Sequence, residues 1–174
     1  MKKFTLVLLT LVLSVSLFAT ADMRLDLGVQ NSALQLDVDF SKDNSKSKFT
    51  AELDATFTTL FNKGIGFYVG FAPDFVGSTY GLSGGFAYLV NVGKTTDCIL
   101  SIGPTFTFAS RSTKIGVDLM ADFDFFVSKA MYVQLGVGTQ FEICQIYKVG
   151  DTTKTDSKVK LSVPLPSVAL GWKF

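Results

Sequence analysis

The chain has 174 residues with 16 Lys plus Arg against 15 Asp plus Glu, a net charge of +1, so the basic excess of a nucleic-acid-binding protein is absent. Hydrophobic residues make up 48% and aromatic residues 13%, which excludes a disordered tail, and two cysteines are too few for a disulfide-stapled miniprotein. There is no histidine, which removes Ser-His and Cys-His catalysis and most zinc sites; no catalytic residue, metal or cofactor is expected.

The first element is an export signal. Lys2 and Lys3 precede an apolar stretch from Phe4 to Phe18, and Ala19-Thr20-Ala21 places small residues at both positions of a cleavage site. Residues 1–21 are therefore expected to be a cleaved signal peptide, and residues 22–174 the mature domain. Loss of Lys2 and Lys3 turns the net charge from +1 to −1.

From there on, period two dominates. Alternating runs cover 23–40, 49–60, 65–72, 80–90, 98–109, 115–126, 131–147 and 158–174, with connectors at 41–48, 61–64, 73–79, 91–97, 110–114, 127–130 and 148–157. Connectors this short require antiparallel neighbours. The faces are sharply sorted. In the second run Phe49, Ala51, Leu53, Ala55 and Phe57 oppose Thr50, Glu52, Asp54, Thr56 and Thr58. In the sixth, Ile115, Val117, Leu119, Ala121, Phe123 and Phe125 oppose Gly116, Asp118, Met120, Asp122 and Asp124.

Alternation alone does not say which face points inward. Two features do. Glycines crowd the polar face, for example Gly28, Gly70, Gly85, Gly103, Gly136 and Gly138, as a narrow interior requires. The apolar face is layered. Phe61, Phe67, Tyr88, Phe123, Phe125, Trp172 and Phe174 gather at the rim of the amino terminus, and Phe71, Tyr80, Phe106, Phe108 and Tyr147 gather at the opposite rim with Phe40 and Phe49. Aliphatic residues such as Leu27, Leu53, Leu119 and Leu135 lie between. A bilayer selects two aromatic belts around an aliphatic band. The expected fold is all-β, an eight-stranded antiparallel up-and-down transmembrane β-barrel with its polar face inside.

The chain closes on Val168-Ala169-Leu170-Gly171-Trp172-Lys173-Phe174, apolar at every second position and aromatic at the end. This resembles the C-terminal strand of small bacterial outer-membrane β-barrels of the OmpX, OmpW and opacity-protein kind, or the barrel of OmpA. The resemblance implies an outer-membrane location, contact with outer-membrane lipid, a monomer, and recognition of the closing strand by the barrel-assembly machinery through Trp172 and Phe174. Three prolines depart from it: Pro104, Pro164 and Pro166 fall inside expected strands, where each removes a ladder donor. A bulge is expected at Pro164-Leu165-Pro166, where the apolar parity shifts, and a similar slip at Asn31-Ser32.

Two groups of inward charges stand out. Arg24, Asp26, Asp122, Asp124 and Lys173 fall near the rim of the termini, where they are expected to form a salt-bridge plug on the periplasmic side. Asp37, Asp39, Glu52, Asp54, Asp118 and Glu142 fall in the outer half with Lys160 as the nearby strand cation, an acidic mouth that would attract cations. Cys98 and Cys144 lie near opposite rims and are expected to be free thiols.

The leading functional expectation is a non-enzymatic outer-membrane barrel with a structural role or a porin-like passage for small solutes or cations. One alternative is an adhesin-like surface protein binding through 41–48, 73–79, 110–114 and 148–157. The other is a soluble periplasmic barrel holding an apolar ligand, which requires the opposite orientation of the two faces.

Overall fold

The computed structural model describes residues 21–31, 38–39, 51–61, 63–75, 77–149, 152–157, 159–162 and 167–174. The elements, in chain order, are β1 (Asp22–Asn31), β2 (Val38–Asp39), β3 (Ala51–Leu60), β4 (Ile65–Asp74), β5 (Thr79–Asn91), β6 (Thr96–Ala109), β7 (Ser112–Phe126), β8 (Met131–Val149), β9 (Thr152–Asp156), β10 (Lys160–Ser162) and β11 (Ser167–Lys173). Among the described residues there is no helix.

Eight of these strands close into an antiparallel ring in the order β11-β1-β3-β4-β5-β6-β7-β8, and β8 completes it by pairing with β11. Closure gives each of these strands a partner on both sides, so the paired backbone groups are satisfied without water. The expected first and last strands are each seen in two pieces. Above β1 and β11, β2 pairs with β10, and β10 pairs with β8 through Leu161 and Phe141. At the rim where β1 begins and β11 ends, the Phe174 amide donates to the Met23 carbonyl at 2.9 Å, and the Lys173 amide to that of Ala130 at 2.8 Å.

The apolar face is the outer one. Leu27, Leu53, Val69, Ile102, Leu119, Leu135, Val168 and Leu170 are exposed, while Arg24, Asp26, Thr58, Thr105, Asp124 and Gln134 on the alternate positions are buried. This is the inverse of a soluble fold and overturns the reading as a soluble barrel with an apolar lumen, because such a barrel would bury its leucines. Aromatic rings cluster at two levels of the outer face. Phe67 contacts both Phe61 and Phe86, with centroids 6.0 and 5.3 Å away. Nearer the opposite rim, Phe108 stacks on Tyr80 at 5.1 Å and on Phe106 at 6.4 Å.

Strand ends differ from expectation in one consistent way: the ladders reach further into the polar connectors. Ser112, Thr113 and Lys114 belong to β7, so the connector expected over 110–114 shrinks to Ser110 and Arg111. The connector expected over 148–157 is mostly a hairpin, with Val149 opposite Thr152 and Lys148 opposite Thr153. Threonine is β-branched and favours the extended backbone even where no core needs it. The connector at 73–79 shortens to 75–78, where Asp74 accepts from the Gly77 amide at 2.8 Å. The turns 61–64 and 127–130 fall where expected; in the first, Lys63 and Gly64 take φ of 87° and 74° to reverse the chain.

The ladder is irregular where the sequence supplies a reason. Pro104 lies in β6 and pairs continuously with β7 through Val117, but the β5–β6 pairing is interrupted between Ser83–Thr105 and Phe86–Ile102. The missing proline donor therefore falls on the β5 side. There Gly85 and Gly103 bring the two backbones so close that a Cβ on either would collide with the other. A second irregularity sits between β7 and β8: Ile115 opposes Cys144 but Gly116 opposes Glu142, leaving Ile143 as an extra residue. The register of the closing strand against β8 differs by one residue between the Ser162–Gln140 and Ser167–Gly136 pairs. The bulge expected at Pro164 to Pro166, the slip at Asn31-Ser32, the signal segment up to residue 20 and the loop 41–48 lie outside the described residues, wholly or in part.

Cys98 is buried and Cys144 half-buried, and both are free thiols, as expected. Opposite β7 they face Phe123 and Ile115, roughly 26 Å apart along that strand.

Candidate functional site

Because side chains alternate, every second residue of each ring strand projects into one narrow lumen. At the rim of the termini that lumen is filled by a single charged cluster. Arg24 of β1 is fully buried and donates from Nη1 to Asp124 of β7 at 2.5 Å, and from Nη2 to Asp97 of β6 at 2.7 Å and Asp22 at 3.0 Å. Lys173 of β11 pairs with Asp22 at 2.5 Å, and Gln134 of β8 donates to the other Asp124 oxygen at 3.0 Å. In the ring, β6 stands four places from β1, so the guanidinium ties opposite walls together. Arg24 lies over the rings of Phe126 and Tyr132, 5.5 and 5.8 Å from their centroids. Beside it Leu60, Ala87 and Ile99 form a small buried apolar cluster with Leu89.

Three of the five residues expected in the plug are brought together: Arg24, Asp124 and Lys173. The other two are not. Asp26 and Asp122 form no ion pair with Arg24 or Lys173; they line the cavity above the cluster instead. The aspartates that take their places, Asp22 and Asp97, sit at strand starts, one read as the first mature residue and the other inside a connector.

Above this floor lies a cavity of about 360 Å³ that extends to Asp74 and Gly77 near the opposite rim. Asp54, Asp118 and Glu142 of the expected acidic mouth line it. Asp37 lies outside the described residues, as do the side chains of Asp39, Glu52 and Lys160. Lys114 of β7, assigned from sequence to a connector, pairs with Glu142 at 3.0 Å and is a cation of the upper wall. Asp74 also lines the cavity and carries no signal in sequence beyond its place beside Pro73. Gln140 donates to Thr105 at 3.0 Å over the intervening β7, and Thr56 to Asp54 at 3.4 Å. Among the described residues no three carboxylates or thiols converge as a metal site.

An exposed apolar girdle, a closed antiparallel ring and a polar, charge-bridged interior define an eight-stranded transmembrane β-barrel. A solved outer-membrane barrel shares this fold. Ail, the attachment invasion locus protein of Yersinia pestis, in its complex with the heparin analogue sucrose octasulfate, superposes with a TM-score of 0.50 at 11% identity, over 88% of this chain and 99% of that one. The designed barrel TMB2.3 gives 0.49 at 14% identity over 89% and 94% of the two chains. Neisserial surface protein A gives 0.45 at 12% over 88% and 96%. No family model and no curated protein matches the sequence.

Proposed function

We propose that residues 1–21 direct export, and that residues 22–174 reside in the bacterial outer membrane as a monomeric, non-enzymatic barrel with a structural role and no through-pore. The carrying observation is the fully buried Arg24, which reaches from β1 to Asp97 on the opposite wall and to Asp124 beside it. A hydrated ion cannot pass without separating these charges, and each carboxylate uncovered in the low-dielectric interior would cost several kcal/mol, on the order of 3–5. Solute passage is therefore the weaker of the two roles the sequence suggests. The adhesin reading loses support as well, since two of its four loops are largely strand. Trp172 and Phe174 at the closing strand are proposed as the feature the assembly machinery reads.

Planar-bilayer recording tests this. The intact barrel is expected to give no steady conductance, and Arg24→Ala to give measurable openings. A steady cation-selective current through the intact protein would overturn the reading.

A further inference from the structure

The cavity above the floor is lined by carboxyl groups that no described cation pairs. Arg24 and Lys173 are engaged below it by Asp22, Asp97 and Asp124, and Lys114 is engaged above it by Glu142. Between these levels Asp26, Asp54, Asp118 and Asp122 line the cavity with no ion pair to a described cation. An acidic lining alone would be only a solvated lumen. The independent observation is Tyr68: 7% exposed, lining the same cavity, its hydroxyl buried without a hydrogen-bond partner among the described residues. One oxygen of Asp118 is buried without a partner in the same way, whereas Asp26 has the Tyr132 hydroxyl beside it. Buried polar atoms are almost always hydrogen-bonded, so this constellation marks a place shaped for donors that the chain does not supply.

The arrangement also selects the kind of donor. A dehydrated metal ion needs several carboxylates at one point, and none converge so among the described residues. Here the acids are strung along the barrel. Asp118 and Asp122 are four residues apart on β7, roughly 13 Å along the strand, with Met120 between them on the same face. Asp26 stands on the β1 wall at the level of Thr56, and Asp54 one step above it opposite Gly28. We propose that this cup is a binding site for a linear aliphatic polyamine. Its separated ammonium groups donate to the carboxylates and to the Tyr68 oxygen, while its methylenes lie against Met120. The cavity volume falls within the range of small-molecule sites. The proposal rests on the closed floor argued above, which makes the lumen a blind cup and not a conduit.

The test is calorimetric titration of the full barrel, refolded in detergent micelles, with spermidine, and with magnesium chloride at matched ionic strength. The expected result is saturable one-site binding of spermidine that magnesium does not displace, at least tenfold weaker in Asp118→Asn and in Asp122→Asn. Tyr68→Phe removes one oxygen and is expected to weaken binding several-fold, which keeps the test decisive should an aspartate variant fail to fold. A gel comparing boiled and unboiled samples establishes folding for each protein. No saturable binding by a folded barrel, equal affinity in the variants, or equal displacement by magnesium would each overturn the polyamine site. Spermidine binding together with steady conductance would overturn the closed floor alone.

Discussion

Arg24 is the residue on which the interior turns. It is fully buried among three carboxylates, Asp22, Asp97 and Asp124, contributed by three strands. Removing one partner of a buried charge pair leaves the other uncompensated, which costs about 3–5 kcal/mol. Arg24→Ala is therefore expected to lower unfolding stability in urea by that amount. Arg24→Lys is expected to lose less, since an ammonium keeps the charge but cannot hold three acids in the planar fork of a guanidinium. Equal stability of wild type and Arg24→Ala would show that the cluster is not structural. Period-two parity was enough to turn Arg24, Asp26, Asp122 and Asp124 inward. It was not enough to say who meets whom, because partners across a barrel depend on strand stagger, which leaves no mark on any one strand. Hence parity groups Asp26 and Asp122 with Arg24 and leaves Asp97 inside a connector.

At the scale of the element, the eight alternating runs correspond to the eight walls of the ring because a one-residue slip would move a whole face from lipid to lumen. The ends were less legible. Polar rim residues such as Ser112, Thr113 and Thr152 to Asp156 carry no apolar alternation of their own to reveal their periodicity, yet they continue the ladders. Local irregularities were legible only where a proline announced them. Pro104 explains the broken β5–β6 ladder, whereas the extra residue at Ile143 has no compositional marker. The β8–β9 hairpin rises above the β8–β10 pairing, with Ile146 opposite Thr155. Replacing residues 147–154 by Asn-Gly, a sequence suited to a two-residue hairpin turn, should leave the barrel intact. The shortened protein is expected to keep its different migration in boiled and unboiled gels; loss of that difference would mean the hairpin is needed to hold the ring.

For the whole molecule, the ordering of layers is the account: an apolar exterior, a ring of backbone hydrogen bonds, and a polar interior closed at one end by charge. Lipid tails replace water around the exterior, so the ordinary rule of burial is inverted. Glycine at Gly85 and Gly103 and small residues elsewhere let the walls approach as closely as a narrow lumen demands. Fold and orientation were readable from the sorting of aromatic and aliphatic residues on one face. The extent of the cavity was not, since it depends on which inward side chains leave space unfilled.

The most direct measurement of this layering is the stability of Leu119→Arg in phospholipid vesicles. Leu119 is 49% exposed at mid-strand on the outer face, opposite Ile102 on β6. If that face meets hydrocarbon, the substitution is expected to cost about 2–4 kcal/mol of unfolding free energy. A variant as stable as the parent would mean that Leu119 meets water, and would contradict the barrel's placement in a membrane.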